Sequence, residues 1–296
     1  MSTYDHIHPD FRPVLQLSDR ERILFIGEER WIGYALARTI LDTLNDLIVM
    51  PKRARMPNLL IVGDSNNGKT TVIRRFQKTH GEGYVDENDD PVRPLILAEA
   101  PSTADEKALY VALLEQLWMP YRITDTKLAL RYQVIHSFRE LKVRMLIIDE
   151  FHSLLTGSAI KQREVMNALK SLCNELVIPI IGVGTTDAVR ILHHDPQHAS
   201  RFDVIKLDQW KLDPEFQRML KGFESILPLK KPSGLAHPDK ARRVHAISGG
   251  NLGNVHRLLM ECSKQAIVSG KECIDIELIE SMSWLRPTRG IREQSL

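Results

Sequence analysis

Eight residues, Gly63–Thr70, have the types and spacing of a loop that binds phosphate groups. They read Gly, four residues, Gly, Lys and Thr, after an apolar run and before a helical pattern. Backbone amides of such a loop donate to phosphate oxygens, and the dipole of the following helix favours an anion. The Lys69 ammonium can reach the β- and γ-phosphates, and the Thr70 hydroxyl can coordinate Mg²⁺. The residues predicted to contact a nucleotide are Gly63, Asp64, Ser65, Asn66, Asn67, Gly68, Lys69, Thr70 and Thr71.

Two adjacent carboxylates, Asp149 and Glu150, follow the apolar run Met145–Ile148. At the carboxyl end of a buried strand, Asp149 would support the Mg²⁺ bound to the phosphates. Glu150 could then orient and deprotonate the attacking water. An ordinary strand that ends in acidic residues is the alternative for this pair alone. Its combination with the phosphate loop favours the catalytic interpretation.

A third candidate, Thr185, follows the predicted strand 179–184. Its hydroxyl could contact the γ-phosphate or the attacking water at the same edge of a sheet. A helix N-cap is the alternative for Thr185 or its neighbour Thr186. The sequence leaves both interpretations open.

Composition excludes several classes of protein. Lys plus Arg number 40 and Asp plus Glu number 38, so the net charge of +2 does not by itself indicate a polyanionic partner. The three cysteines lack metal-site spacing and fit free thiols in a reducing cytoplasm. His193, His194 and His198 form no metal-like constellation. A polar start and the lack of a long apolar run predict no signal peptide, no membrane span and a cytoplasmic location.

The elements that must position these residues alternate between strand and helix after residue 57. This alternation predicts an α/β fold, in which a mostly parallel sheet is covered by helices on both faces. Helical patterns alone follow residue 208 and predict a small C-terminal lid. The predicted segments are an N-terminal extension with a helix near 31–49 and a basic linker (1–57), the α/β core (58–208), the helical lid (209–284) and a flexible tail (285–296).

The order and spacing of these motifs, with the helical C-terminal segment, resemble the AAA+ ATPases. The resemblance implies a P-loop NTPase core that binds ATP and Mg²⁺. It also implies that an arginine from a neighbouring subunit completes the site. The segment Ser200–Phe202 and the strand after it resemble the part that carries this arginine, so Arg201 is the first candidate and Arg190 the second. A surface arginine with no such role is the alternative.

Two further regions are interpreted through the same resemblance. The segment Ser248–Leu259 resembles the second sensor of AAA+ lids, but Asn254 stands near the position where many relatives carry an arginine. Arg257 lies one helical turn later and could be a surface residue or a subunit contact. Trp31 and Ile32 precede the core as adenine-pocket residues often do, although packing of an amphipathic helix is an equal alternative.

Three stretches, Arg22–Tyr34, Pro51–Thr70 and Val143–His152, resemble the TniB family of transposition ATPases. These ATPases are relatives of TnsC and, more distantly, of IstB and MuB. The resemblance implies an ATP-dependent regulator that oligomerises on double-stranded target DNA and recruits or activates a transposase. A target-selection protein is a further candidate partner. Hydrolysis would be slow and would drive disassembly.

This interpretation has two structural consequences. A head-to-tail contact that brings Arg201 to the next subunit's site generates a ring or a helical filament. A filament on DNA also needs cationic or hydroxyl groups that face the phosphates, with weak sequence preference and strong salt dependence. The candidates, for which a solvated helix surface is the alternative, are Lys107, Thr126, Lys127 and Arg131.

Two rival functions stay open at this point. A helicase loader or replication initiator of the same AAA+ group would bind a helicase and single-stranded DNA instead. A nucleotide-gated scaffold would use ATP binding as its switch without important turnover. The intact Asp149–Glu150 pair argues against the scaffold.

Overall fold

The computed structural model describes residues 4–192 and 201–282, and for residues 190–192 it describes the backbone. The predicted tail 285–296, the side chain of Arg190, and His193, His194 and His198 lie outside this description. The chain forms two compact units. The α/β unit comprises Thr39–Ser65 and Lys69–Leu207, and the helical unit comprises Met1–Arg38, Asn66–Gly68 and Asp208–Leu296.

The described residues of the α/β unit form seven strands. They are β1 Asn58–Gly63, β2 Tyr84–Val85, β3 Pro91–Val92, β4 Leu95–Glu99, β5 Met145–Asp149, β6 Ile180–Gly184 and β7 Phe202–Leu207. Five of them make one parallel sheet in the order β4-β5-β6-β1-β7, and β2 pairs antiparallel with β3. The central strands are continuous apolar runs, and every residue of β1 and β6 is buried. Such runs are typical of a parallel sheet covered on both faces.

Helices flank this sheet and make up most of the helical unit. In chain order they are α1 Asp19–Ile26, α2 Ala35–Val49, α3 Lys69–His80, α4 Glu106–Gln116, α5 Lys127–Glu140, α6 Ala159–Leu176, α7 Asp187–Leu192, α8 Pro214–Glu224, α9 Pro238–Ser248, α10 Leu252–Val268 and α11 Ile276–Ser281. In the α/β unit, α4, α5 and α6 pack against one another and contribute Leu113, Phe138 and Leu169 to the core. The predicted α/β class with C-terminal helices is therefore confirmed.

The helical unit buries the apolar faces of its helices against each other. Phe216, Phe223 and Leu259 lie in its core. Side chains cap the starts of these helices, as when Asp213 accepts a hydrogen bond from the Phe216 amide at 2.9 Å. The described residues include no helix with the length and apolar composition of a membrane span.

Three local predictions differ from the structure. Helix α2 begins at Ala35 rather than near residue 31, which fits the poor helix propensity of Gly33 just before it. The acidic, turn-rich sequence of residues 80–93 predicts a loop, but this stretch contains the β2–β3 hairpin, in which Asp86 accepts amide hydrogen bonds from Asn88 and Asp90 at 2.9 and 3.1 Å. Residues 1–17, whose two prolines and lack of periodicity predict irregular structure, contain a 3-10 helix over Pro9–Gln16. Local side-chain bonds and prolines, rather than apolar periodicity, define these pieces.

Candidate active site

The carboxyl edge of the sheet brings the predicted motifs together. Strand β1 ends at Gly63, and its neighbour β6 ends at Gly184, in register with Val62. Strand β5 ends at Asp149 beside β6. The parallel register therefore places the start of the phosphate loop, Asp149 and Thr185 at one edge, where ligands of open α/β sheets bind.

A hydrogen bond joins the two main motifs. The Thr70 hydroxyl donates to Asp149 Oδ2 at 3.0 Å. The pair presents a hydroxyl oxygen and a carboxylate oxygen, and both are the hard ligands that Mg²⁺ prefers. Thr70 and Asp149 thus fit a magnesium ion bound together with phosphate, and their role as its ligands stays a prediction.

Lys69, the first residue of α3, folds back over its own loop. Its Nζ donates to the carbonyl oxygens of Gly63 and Asp64 at 2.9 and 2.7 Å. Burial lowers the pKa of Lys69, while the charges of Glu150, Asp149 and Asp64 oppose that shift. The ammonium is thus partly desolvated beside carbonyls that an anionic oxygen could replace.

Close packing explains the first glycine of the loop, and backbone conformation explains the second. A Cβ on Gly63 would lie 2.4 Å from the Leu207 carbonyl oxygen. Gly68 has a φ of +85°, which favours glycine. Asn66, between them, also has a positive φ of 62°. The loop therefore depends on backbone conformations that few residue types adopt.

The tip of the loop, Asn66–Gly68, belongs to the helical unit. There the Gly253 amide donates to the Asn66 carbonyl at 2.9 Å, and the Leu252 amide donates to Asn67 Oδ1 at 3.2 Å. Asn67 Nδ2 donates to the Asp208 carbonyl at 2.9 Å, and the Asn67 side chain is buried. The loop tip thus satisfies amides at the start of α10, which an isolated helix leaves unpaired. The sequence carried no signal for this long-range contact.

Glu150 has an unusual backbone. Its φ of 53° and ψ of 33° are left-handed, which is rare for residues other than glycine, asparagine and aspartate. Its amide donates to Asp149 Oδ1 at 2.8 Å, and its Oε2 lies 3.4 Å from His152 Nε2. Its side chain is half exposed. This carboxylate therefore projects from a strained turn at the edge that carries the phosphate loop. No motif in the sequence had pointed to a role for His152.

Thr185 and Thr186 lie between β6 and α7. Their carbonyl oxygens accept hydrogen bonds from Ala188 and Val189, both at 3.1 Å, and so open α7. Thr185 is partly buried. Its position at the carboxyl edge is established, while its contact with phosphate or water stays a prediction.

Arg201 lies at the opposite edge of the sheet. Its carbonyl accepts from the Asn58 amide at 3.2 Å, at the start of β1, and its Nη1 donates to Asn174 Oδ1 at 3.1 Å. The six-residue strand β7 follows it, so about 20 Å of strand separates Arg201 from the carboxyl edge. Arg201 therefore does not reach the phosphate loop of its own chain.

The four candidates for DNA contact lie on or beside α4 and α5, and each has a partner within the α/β unit. Lys107 Nζ donates to the Ile123 carbonyl, Lys127 pairs with Glu106 and Glu164, Arg131 binds Ser171 and Glu175, and the Thr126 hydroxyl accepts from the Ala129 amide. Exchange of these partners for phosphate oxygens stays a prediction.

The remaining candidates lie in the helical unit. Trp31 and Ile32 precede α2 and are partly buried, and Ile32 packs against the core of that unit. Asn254 Nδ2 donates to the Ser248 carbonyl at 3.2 Å, and the Asn254 amide donates to Asn251 Oδ1 at 3.2 Å. Asn254 thus helps to form the start of α10, and its contact with a nucleotide stays a prediction.

Solved structures with similar folds are AAA+ proteins. The Aeropyrum pernix ORC2 protein is 15% identical with a TM-score of 0.64, and the match covers 90% of this chain and 72% of that chain. Cdc6p from Pyrobaculum aerophilum is 16% identical with a TM-score of 0.63, over 93% and 72% of the two chains. The Aeropyrum pernix ORC1 protein, solved in complex with DNA, is 15% identical with a TM-score of 0.60, over 90% and 69%. At such identities the likeness shows the AAA+ fold alone.

Family membership comes from the sequence comparison. A search of curated proteins returned no match to this chain. The family described as "Bacterial TniB protein" matches residues 22–212. The matched range includes the phosphate loop, Asp149 and Glu150, and it covers more than half of the chain. The chain therefore belongs to the TniB family.

Proposed function

We propose that this protein is an ATPase that uses ATP and Mg²⁺ to control its assembly on double-stranded DNA during transposition. The observation that carries the ATPase proposal is the hydrogen bond of 3.0 Å between Thr70 and Asp149, beside Lys69. It joins a phosphate-binding motif to a carboxylate at the ligand-binding edge of a parallel sheet. The proposal keeps the predicted division into an N-terminal extension, core, lid and tail.

Each catalytic role follows from position and chemistry. Lys69 would bind the β- and γ-phosphates in place of its loop carbonyls, and Thr70 and Asp149 would hold the Mg²⁺. Glu150 takes a proton from the attacking water, and Thr185 contacts the γ-phosphate or that water. When bound, Mg²⁺ neutralises charge that develops on the phosphate oxygens.

Arg201 acts on the site of a neighbouring subunit. Its place at the amino edge, away from its own phosphate loop, supports this role. A contact between unlike edges of two copies is head-to-tail, and it closes into a ring or continues as a helical filament. We propose that such an oligomer binds DNA and recruits or activates a transposase, with a target-selection protein as a further partner, in the cytoplasm.

The proposed DNA surface is formed by the α4–α5 region. Its cations, Lys107, Lys127 and Arg131, would exchange intramolecular oxygens for phosphate oxygens, and Thr126 would donate its hydroxyl. Contacts to the backbone of DNA predict weak sequence preference and strong salt dependence. Slow hydrolysis would then disassemble the oligomer.

Electron microscopy of the purified chain tests assembly directly. The protein is mixed with a DNA duplex and either a non-hydrolysable ATP analogue, ADP or no nucleotide. We expect rings or filaments on the duplex with the analogue alone. Monomers in all three mixtures would overturn the assembly proposal, and lack of phosphate release from ATP with DNA present would overturn the ATPase proposal.

A loader of a replicative helicase is the second candidate, because the sequence leaves this function of the same AAA+ group open. The two functions predict different partners. Pull-down of the immobilised chain, in the ATP-analogue state, with a purified transposase or a purified replicative helicase separates them. Retention of the helicase and not the transposase would replace the transposition proposal.

A further inference from the structure

His152 stands between Glu150 and strand β6. Its Nε2 lies 3.4 Å from Glu150 Oε2, and its side chain is less exposed than that of Glu150, at 30% against 50%. The two residues are joined by the turn that starts the 3-10 helix Phe151–Leu155. A half-exposed glutamate usually samples several rotamers. The imidazole therefore lies next to this carboxylate on its less exposed side, where it can restrict the carboxylate's rotamers.

The sheet holds His152 in place through two glycines of β6. A Cβ on Gly184 would lie 3.1 Å from the His152 amide nitrogen and 3.3 Å from its Nδ1. A Cβ on Gly182 would lie 2.9 Å from the ring of Phe151, which is fully buried. The turn is thus packed directly on the strand that leads to Thr185. A shift of β6 would move the imidazole and, with it, the neighbour of Glu150.

The second ring nitrogen of His152, Nδ1, is enclosed by the protein and makes no hydrogen bond to the described residues. When a neutral imidazole donates from Nε2 to a carboxylate, its Nδ1 is an acceptor. Buried polar atoms without partners are uncommon in folded proteins. Packing against β6 alone does not account for a polar ring at this position.

We propose that His152 is a positioning residue for the proposed ATPase reaction, and that it holds the Glu150 carboxylate in line with the attacking water. In that step the water oxygen bonds to the γ-phosphorus, the bond to the bridging oxygen breaks, and Glu150 takes the water proton. His152 keeps its own proton throughout. Because its ring rests on β6, it couples the orientation of Glu150 to the strand that ends at Thr185. This inference depends on the proposed function.

Steady-state ATP hydrolysis by the full chain on duplex DNA tests the role. His152→Phe keeps an aromatic ring against β6 but removes the donor, whereas His152→Gln keeps a donor at similar reach. For His152→Phe we expect kcat to fall about 10- to 100-fold, the scale of a misplaced catalytic group, with KM for ATP within about 2-fold. His152→Gln should recover most of kcat. His237→Phe, at an exposed position just before α9 in the helical unit, is the matched control and should equal the wild type.

A double-mutant cycle separates positioning from packing. In the Glu150→Gln background, His152→Phe should cause no further loss, because the carboxylate that it positions is gone. Unchanged kcat in His152→Phe, or equal losses in His152→Phe and His152→Gln, would overturn the inference. If His152→Phe does not fold, His152→Asn replaces it, since this shorter side chain cannot reach the carboxylate and should show the same loss. A wild-type chain without ATP turnover would instead defeat the proposed function, and the inference with it.

Discussion

Two basic side chains, the fully buried Arg22 of the helical unit and the partly buried Lys69 of the α/β unit, have different kinds of partner. Arg22 is fully buried, and its Nε and Nη2 donate to the Pro228 carbonyl at 3.1 and 2.6 Å. Its guanidinium also makes two hydrogen bonds to the carboxylate of Glu272. Lys69 donates to two carbonyls of its own loop. The first cation is hydrogen-bonded to a carboxylate, whereas the hydrogen bonds of the second are to neutral carbonyls and the nearby carboxylates act on it only through their charge.

This difference distinguishes a structural cation from the cation that we propose to bind phosphate. A buried charge is stable when an opposite charge and hydrogen bonds satisfy it, and removal of one partner is then costly. The two carbonyl contacts satisfy two of the three donors of Lys69 without a hydrogen bond to a carboxylate, so an anionic oxygen could replace them. Burial is therefore a poor guide to function by itself, and the identity of the partners decides between the two roles.

A third basic residue, Arg201, tests whether a cation without a carboxylate partner has a functional role. Its removal is expected to have the largest effect, a loss of kcat. It contacts a neutral asparagine, and its Nε is buried without a partner among the described residues. We expect Arg201→Ala to lower kcat by about 10³-fold or more, the effect of losing an arginine finger, with nucleotide affinity unchanged. The measurement is ATP turnover on duplex DNA, beside a titration with a fluorescent nucleotide.

Mixing experiments provide the control for Arg201. Lys69→Ala subunits keep Arg201, so they should restore part of the activity when mixed with Arg201→Ala subunits. Mixtures as inactive as the separate variants would contradict a role between subunits.

The next largest effect is expected on stability. Arg22→Ala would leave the largely buried Glu272 carboxylate with only Lys230, at 3.8 Å, as a counter-charge and should lower the free energy of unfolding by about 3–5 kcal/mol. Urea denaturation followed by circular dichroism measures this change. Lys69→Ala is the matched control, because it removes no buried ion pair. Equal loss of stability in the two variants would break the comparison.

Lys69→Ala should affect binding instead. We expect its affinity for a fluorescent ATP analogue to fall about 100-fold, or about 2.7 kcal/mol, because the charge that matches the phosphates is lost. Arg22→Ala, assayed at a temperature where it stays folded, should bind the analogue as the wild type does. Normal nucleotide affinity in Lys69→Ala would contradict the prediction that Gly63–Thr70 binds phosphate.

The smallest effect is a dependence of stability on pH. Burial raises the pKa of Glu272. Hydrogen bonds from the Arg22 side chain and the Lys230 amide, and the positive charges of the Arg22 and Lys230 side chains, lower it by more, so the pKa lies below its ordinary value. This carboxylate therefore stabilises the fold above the ordinary value of about 4.3, and the contribution is lost as pH falls through the lowered pKa. Glu272→Gln should melt below the wild type at pH 7, and the gap should shrink below about pH 4. A gap that is constant with pH would argue against an ionised pair.

Apolar runs and motif spacing were enough to predict the fold class. Runs such as Met145–Ile148 are typical of buried strands, and their alternation with helices leads to a parallel sheet. The phosphate loop could also be predicted from the sequence, because its glycines, lysine and threonine are each required by the conformation or chemistry of that short segment. The β2–β3 hairpin and the start of α2 were mispredicted, since side-chain hydrogen bonds and a glycine outweighed periodicity there.

The sequence by itself determined which groups could do chemistry, because residue type and short spacing fix their reach and charge. Only the tertiary structure decided which groups meet. The hydrogen bond from Thr70 to Asp149 depends on the register of separate strands, and the pairing of Arg22 with Glu272 joins residues 250 positions apart. The left-handed turn at Glu150 and the packing of His152 on Gly184 likewise depend on how one segment rests on another. Such contacts are set by packing over long distances in the chain, which no local pattern records.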